Sequence, residues 1–244
     1  MKHMNFDEFR KQFDENNYDT YNVKLHLKDV AGGIPCDPNL TESWINATNK
    51  NKSAEERAKI VMATKEELPA LTEEAETAGR TVFKVDKDTG RIYIEGRCLK
   101  AALKESANIV KSLVSNTKKC TDDETKAATR GVAGLKSKIA DRVFVVEEKI
   151  FFERNGEFLT KEDETNEQPI HVMTPMGERS SIKLTDIVRN VTIKFTVRML
   201  RTPEVTEEAL FSCLSYIPQL GVGSSRSQGH GISDNIEVEF LKVA

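Results

Sequence analysis

The stretch Gly221-Val222-Gly223-Ser224-Ser225-Arg226-Ser227-Gln228-Gly229-His230-Gly231 separates a helical pattern from the alternating run IEVEFLKV. Its four glycines let the backbone take positive φ and approach a ligand closely, and consecutive N–H groups there can hold phosphate oxygens. Ser224, Ser225 and Ser227 add hydroxyl donors, and Arg226 adds a charge that matches phosphate geometry. A plain connector is the other reading of such a loop. A Walker loop is excluded, because no Gly-Lys-Ser/Thr ends the stretch and it precedes a strand rather than a helix.

Outward from this loop the elements fall into an order. Thr206 to Leu220 reads as a helix with Ala209, Leu210, Cys213, Leu214 and Ile217 in its apolar stripe and Thr206 at its start. Before it, VTIKFTVRML at Val191 to Leu200 alternates as a strand, and RVFVVEEKIFF at Arg142 to Phe152 is strongly β-prone. The polar span between them, Glu153 to Asn190, reads as a long insertion between two paired strands. Leu99, Ala102, Leu103, Ala107, Val110 and Val114 recur at helical spacing after Gly96. Thr81 to Ile94 reads as a hairpin about Asp88-Thr89-Gly90. Ser53 to Ala78 is helical in composition, opened by a Ser53/Glu56 capping box and interrupted at Pro69. Tyr21 to Val30 alternates Val23, Leu25 and Leu27 against Lys24, His26 and Lys28, and a Gly/Pro-rich loop, AGGIPCDPNL, follows it. Residues 1–20 place Phe6, Phe9 and Phe13 on one helix face, fit to dock on a partner or on the chain's own body.

Reduced to its core the order is βαββαβ, an α+β, ferredoxin-like (RNA-recognition-motif-like) plan. The expected organisation is an amphipathic segment at 1–20 and a single domain at 21–244, with insertions at about 29–80 and 151–190.

Composition narrows the function. Of 244 residues 38% are hydrophobic and 31% charged, and 36 Lys and Arg face 39 Asp and Glu for a net charge of −3. That balance excludes a protein that coats nucleic acid by bulk charge, but not a local basic groove. Acids concentrate in Met1 to Asp19, Glu55 to Glu76 and Glu153 to Glu167. Cys36, Cys98, Cys120 and Cys213 lie at long, unequal intervals with no metal-finger spacing, so neither a zinc site nor a disulfide framework is expected. The first residues lack an apolar core and no run approaches 18 apolar residues, so a cytoplasmic protein without a membrane partner is expected.

The Gly221 to Gly231 run is similar to the C-terminal glycine-rich signature of the repeat-associated mysterious proteins, the RAMP superfamily of CRISPR-associated RNA-binding proteins. A second segment, Tyr93-Ile94-Glu95-Gly96-Arg97-Cys98-Leu99-Lys100-Ala101-Ala102-Leu103, resembles that family's strand-to-helix junction, an Ile-Pro-Gly-Ser-Ser-Leu-Lys-Gly-Ala-like run. Here Glu95 stands in place of the proline, and Arg97-Cys98 in place of two small polar residues. Within the superfamily the chain most resembles the backbone subunit of effector complexes, the Cas-seven type, loosely from Tyr21 to Val243. The resemblance implies a homo-oligomer along a guide RNA, with complementary target nucleic acid and other effector-complex subunits as partners. It also implies that Phe151 to Asn190 forms a thumb-like hairpin inserted between guide and target.

Candidate RNA-binding residues follow from both readings. Lys24, His26 and Lys28 share a strand face that can carry RNA or simply be solvated. Arg97, Lys100 and Lys104 line the start of the first core helix, where the dipole favours anions. Lys111, Lys118, Lys119, Lys136, Lys138 and Arg142 make the middle of the chain basic. Met173, Met176 and Arg179 lie in the implied thumb, where Met side chains can wedge between bases or pack within a hairpin. The glycine loop contributes Gly221, Gly223, Ser224, Ser225, Arg226, Ser227, Gly229, His230 and Gly231. Asp37 matches a loop aspartate that supports metal-dependent RNA cleavage in some backbone subunits, and Asp-Pro is equally a turn dipeptide. Mg²⁺ is expected only if Asp37 is catalytic, and otherwise no cofactor. Neither His26, in the first strand, nor His3 sits where the superfamily's processing endonucleases place a general base. The alternatives are therefore an RNA-guided, metal-dependent ribonuclease subunit, and a stand-alone or mobile-element homologue acting as a protein-interaction module.

Overall fold

The computed structural model describes residues 5–36, 42, 43, 45–47, 49–67, 80–117, 134–174 and 177–241, with the backbone alone at 112–117, 170–174 and 177–181. Helix α1 (Phe6–Asn17) opens on Asn5, whose side chain accepts from the Asp7 N–H, and the chain turns directly into β1 (Tyr18–Ala31). After β2 (Ile34–Pro35), helix α2 (Ala54–Glu66) carries the capping box: Ser53 Oγ accepts from Glu56 N at 3.2 Å, and Ser53 N donates to Glu56 Oε2 at 2.9 Å.

Strands β3 (Arg80–Val82), β4 (Lys84–Val85) and β5 (Ile92–Glu95) follow. The β4–β5 turn is fixed by Asp86, whose carboxylate accepts from both the Thr89 N–H and its hydroxyl. Helices α3 (Gly96–Thr117) and α4 (Leu135–Arg142) lead to β6 (Val143–Val145), β7 (Lys149–Phe151), β8 (Glu153–Arg154) and β9 (Glu157–Phe158). The chain closes with β10 (Glu164–Thr174), β11 (Gly177–Leu200), α5 (Glu207–Leu220) and β12 (Ser233–Leu241). Thr206 caps α5 by accepting from Ala209 N.

The result is a mixed α+β architecture. β11 is its spine. Val197 pairs with both Tyr21 and Val145, so β1 and β6 lie on opposite edges of β11, and β12 pairs with the outer edge of β1. At this end the order is β12-β1-β11-β6, antiparallel throughout. At the other end β10 pairs with β11 from Glu164/Ile187 to Thr174/Gly177, while β3 meets Leu184 and Thr185 from the opposite edge. β4, β5 and β7 form a separate three-stranded sheet.

Two expectations are corrected here. The β-prone run Arg142 to Phe152 is two strands in different sheets, β6 on β11 and β7 on β5. Between them the Glu147 carboxylate accepts from Thr196 N at 2.7 Å, and Glu148 O accepts from Gly96 N at 2.9 Å. The strand expected at Val191 to Leu200 runs back to Gly177. Alternation fails at Arg189-Asn190, both exposed, because Asn190 adopts φ 48° and the inward positions shift from Val191 to Val188. The backbone freed at this kink is satisfied by an ion pair: Arg189 N donates to Asp163, and Arg189 O accepts from Arg154, which itself pairs with Asp163.

The inward face of β1 and β11 presents Val23, Leu25, Leu27, Ile193, Phe195 and Val197, all buried. Leu99 and Leu103 of α3, Ile139 of α4 and Leu214 and Ile217 of α5 join the same core cluster. Burial of each such side chain contributes about 1.5–3 kcal/mol. The face of α1 stays open, with Phe6, Phe9 and Phe13 exposed, and it meets the body through a Phe13–Tyr18 edge contact. Among the described residues no helix is long and apolar enough to cross a membrane.

Candidate functional site

The glycine loop is built onto the end of β1. Ala31 bridges Ser224, Val222 N donates to Gly231 O at 2.9 Å, and Gly231 N donates to Asp29 O at 2.9 Å. These bonds require Gly231, whose φ is 79° and where a Cβ would collide with the Val222 carbonyl. Arg226–Gln228 form a short 3₁₀ turn, and His230 Nδ1 lies 3.0 Å from Asp29 Oδ2.

Where this loop, the residues after β1 and the β5–α3 junction converge, they enclose an open groove of about 430 Å³. Gly33, Gly223 and Ser224 form one side, and Arg97, Cys98 and Ala101 of α3 the other. Val82, Phe83 and Ile94 line it as well. The strand-to-helix junction passes so close to the connection between β6 and β7 that a Cβ at Gly96 would collide with the Glu147 carbonyl. Burial pushes the Cys98 thiol above its ordinary pKa, so it stays protonated.

One wall of the groove is ionic. Lys84, nearly buried, donates to Glu67 at 2.9 Å and lies 3.5 Å from Glu95, which also pairs with Arg97. Behind it Lys149 lies 2.8 Å from Asp86 and 3.3 Å from Glu67. Burial alone would raise the Glu67 carboxyl, but Lys84, Tyr93 and Lys149 outweigh it and hold it below the usual carboxylate range.

The structure brings some of the sequence candidates together and separates others. Gly221, Gly223, Ser224, Ser225, Arg226, Ser227, Gly229, His230 and Gly231 form one loop beside Arg97. Within it Arg226 is engaged by the Glu105 carboxylate of α3, at 2.6 and 3.2 Å. Lys100 points away from the groove and donates to the carbonyls of Ile139 and Val143, so its expected place on a ligand-facing side is corrected. It ends α4, as cations do at helix C-termini. Lys24 and Lys28 pair with Glu237 and Asp234 of β12, and His26 Nδ1 lies 3.1 Å from Thr192 Oγ1. The strand face they share is thus electrically balanced. Met173 and Arg179 are paired in the β10–β11 ribbon opposite Glu178 and Val172. Asp37 and Met176 lie outside the described residues.

Lys183, which sequence reading passed over, lies at the root of that ribbon and donates to the Ser225 hydroxyl at 3.3 Å. Lys84, Glu67 and Glu105 were also missed, since each meets partners far along the chain and leaves no local spacing signal. Among the described residues no cluster of His, Cys, Asp and Glu is arranged to hold a metal ion.

No family model matches the chain, and no curated protein matches it either. Among solved structures, a chain of the cryo-EM structure of the Type III-B Cmr-beta bound to cognate target RNA is similar, with a TM-score of 0.44 and 14% identity. The alignment covers 96% of this chain and 65% of that one, so this chain spans just under two thirds of its neighbour's length.

Proposed function

We propose that the chain is an RNA-binding backbone subunit of the RAMP type. Several copies coat a guide RNA within a CRISPR effector complex and present it to a complementary target alongside other subunits. The observation that carries this reading is the meeting of three parts at one place: the glycine loop, the start of α3, and the root of the β10–β11 ribbon through Lys183 and Ser225. Loop donors and local cations can follow a sugar-phosphate chain, and a two-stranded ribbon of seven residue pairs beyond Leu184 reaches about 23 Å from the sheet. The β12-β1-β11-β6 order supports a ferredoxin-like core, because it is the 4-1-3-2 order of a split βαβ fold, with α3 and α5 as its crossovers.

Purification from the native host, followed by extraction and sizing of bound nucleic acid, tests the reading. RNA of regular length carried by a multi-copy assembly is expected. A monomer free of RNA that gives no anisotropy change with labelled RNA at low salt would overturn it.

A further inference from the structure

We propose that the groove between the glycine loop and α3 takes a single unstacked nucleobase, selected for an amino-bearing edge; the inference rests on the RNA-binding reading above. A phosphate does not suit the groove's interior. Phe83, Ile94 and Ala101 give it apolar walls, and on its ionic side Lys84 and Arg97 are engaged by carboxylates, Lys84 by Glu67 and both by Glu95. An anion entering there would lose water and find both cations already paired with carboxylates. A nucleobase meets neither obstacle. Its faces are apolar, and the volume of about 430 Å³ lies within the range of small-ligand pockets, about 300–1,000 Å³.

The polar rim then selects among bases. A carboxylate accepts from exocyclic amines, as Asp and Glu do from cytosine N4. Adenine, cytosine and guanine each present such an amine. Uracil presents one N–H between two carbonyl oxygens, and at least one of these would face Glu95. Arg97, largely exposed, and the Ser224 hydroxyl, which has no hydrogen-bond partner among the described residues, remain at the mouth for the flanking ribose and phosphate.

The test uses the whole chain with a labelled oligouridine carrying one internal 2-aminopurine, an amino-bearing fluorescent base. Anisotropy reports binding, and acrylamide quenching reports burial of the base. Binding with a several-fold loss of quenching is expected, together with about tenfold preference for oligoadenosine or oligocytidine over oligouridine. Ala101→Leu fills the groove from an exposed helix position that tolerates Leu well. It should restore quenching to the level of the free oligonucleotide while anisotropy still rises. Glu95→Gln should reduce the base preference to about twofold by removing the anionic acceptor. Binding with quenching unchanged from the free oligonucleotide and no base preference overturns the base site and leaves the RNA reading standing. No anisotropy change with any oligonucleotide overturns both.

Discussion

The Lys183 ammonium donates to the Ser225 hydroxyl at 3.3 Å, joining the root of the β10–β11 ribbon to the glycine loop across 42 residues of sequence. Ser225 itself sits at φ 53°, so the loop offers its hydroxyl from a left-handed turn. A neutral hydroxyl leaves most of the lysine charge uncompensated, unlike the carboxylate that engages Arg226. Lys183 is therefore the loop-side cation best able to meet a phosphate.

Replacing that cation should act on binding rather than on folding. Lys183→Ala removes one hydrogen bond, a loss of about 0.5–1.5 kcal/mol in stability. RNA affinity should fall by a similar factor for all sequences, and the slope of log affinity against log salt should shrink by about one. A salt titration by fluorescence anisotropy measures both, and an unchanged slope would remove Lys183 from the phosphate path.

Gly231 and Gly229 share the left-handed region but not its surroundings. At Gly229 a Cβ would meet nothing within 4 Å, so Gly229→Ala should cost only the backbone penalty, about 1–2 kcal/mol. Gly231→Ala adds collision with the Val222 backbone and should cost about 3–5 kcal/mol. Urea denaturation of the two variants separates the terms. Equal losses would mean that the Val222 and Gly231 backbones can separate within the loop.

The kink at Arg189-Asn190 should make the ribbon sensitive to acid. Arg154 holds the Asp163 carboxyl below its usual pKa, with the Arg189 N–H assisting. A folded-state pKa below the unfolded value contributes stability that is present above the ordinary carboxylate pKa, near 4, and lost as pH falls from there through the folded-state pKa. Asp163→Asn should remove that contribution and flatten the fall. The protection of the Arg189 amide against hydrogen exchange, taken relative to the intrinsic rate at each pH, should fall from pH 6 to pH 3 in the wild type and be low throughout in the variant.

The same kink marks where the sequence stops being legible. Val23, Leu25 and Leu27, or Ile193, Phe195 and Val197, declare a half-buried strand because one face meets α3 and α5 and the other meets solvent. From Thr185 to Val188 every residue is buried, so alternation disappears although pairing continues. Helix starts were readable because caps act over three residues, as at Ser53 and Thr206. The glycine loop was readable as a loop, since its composition permits little else. Its partners were not: Glu105 for Arg226, Asp29 for His230 and Lys183 for Ser225 lie 42 to 201 residues away. Lys100 shows how a helical wheel misleads, because a position near a helix start reads as anion-facing until a second helix ends against it.

Lys100 offers a check on that placement through pH. Its ammonium donates to Ile139 O at 2.7 Å and to Val143 O, and it lies 5.2 Å from the Phe144 ring. Burial, helped by Lys104 and opposed by Asp141, pushes its pKa down to about 8. In the unfolded chain a lysine titrates near 10.4. Between those values the unfolded chain holds more protons than the folded one, so this residue's contribution rises with pH. Tyr21 and Tyr93, held above the usual phenol range by burial, act the opposite way: each holds its proton longer when folded, which lowers stability above about pH 10. The informative quantity is thus the difference between wild type and Lys100→Met, which keeps the apolar stem and removes the charge. Urea midpoints at pH 7.5, 8.5 and 9.5 should show that difference moving steadily in favour of the wild type. A difference that stays flat would return the Lys100 ammonium to solvent, on the groove side of α3, where it would count among the cations facing RNA.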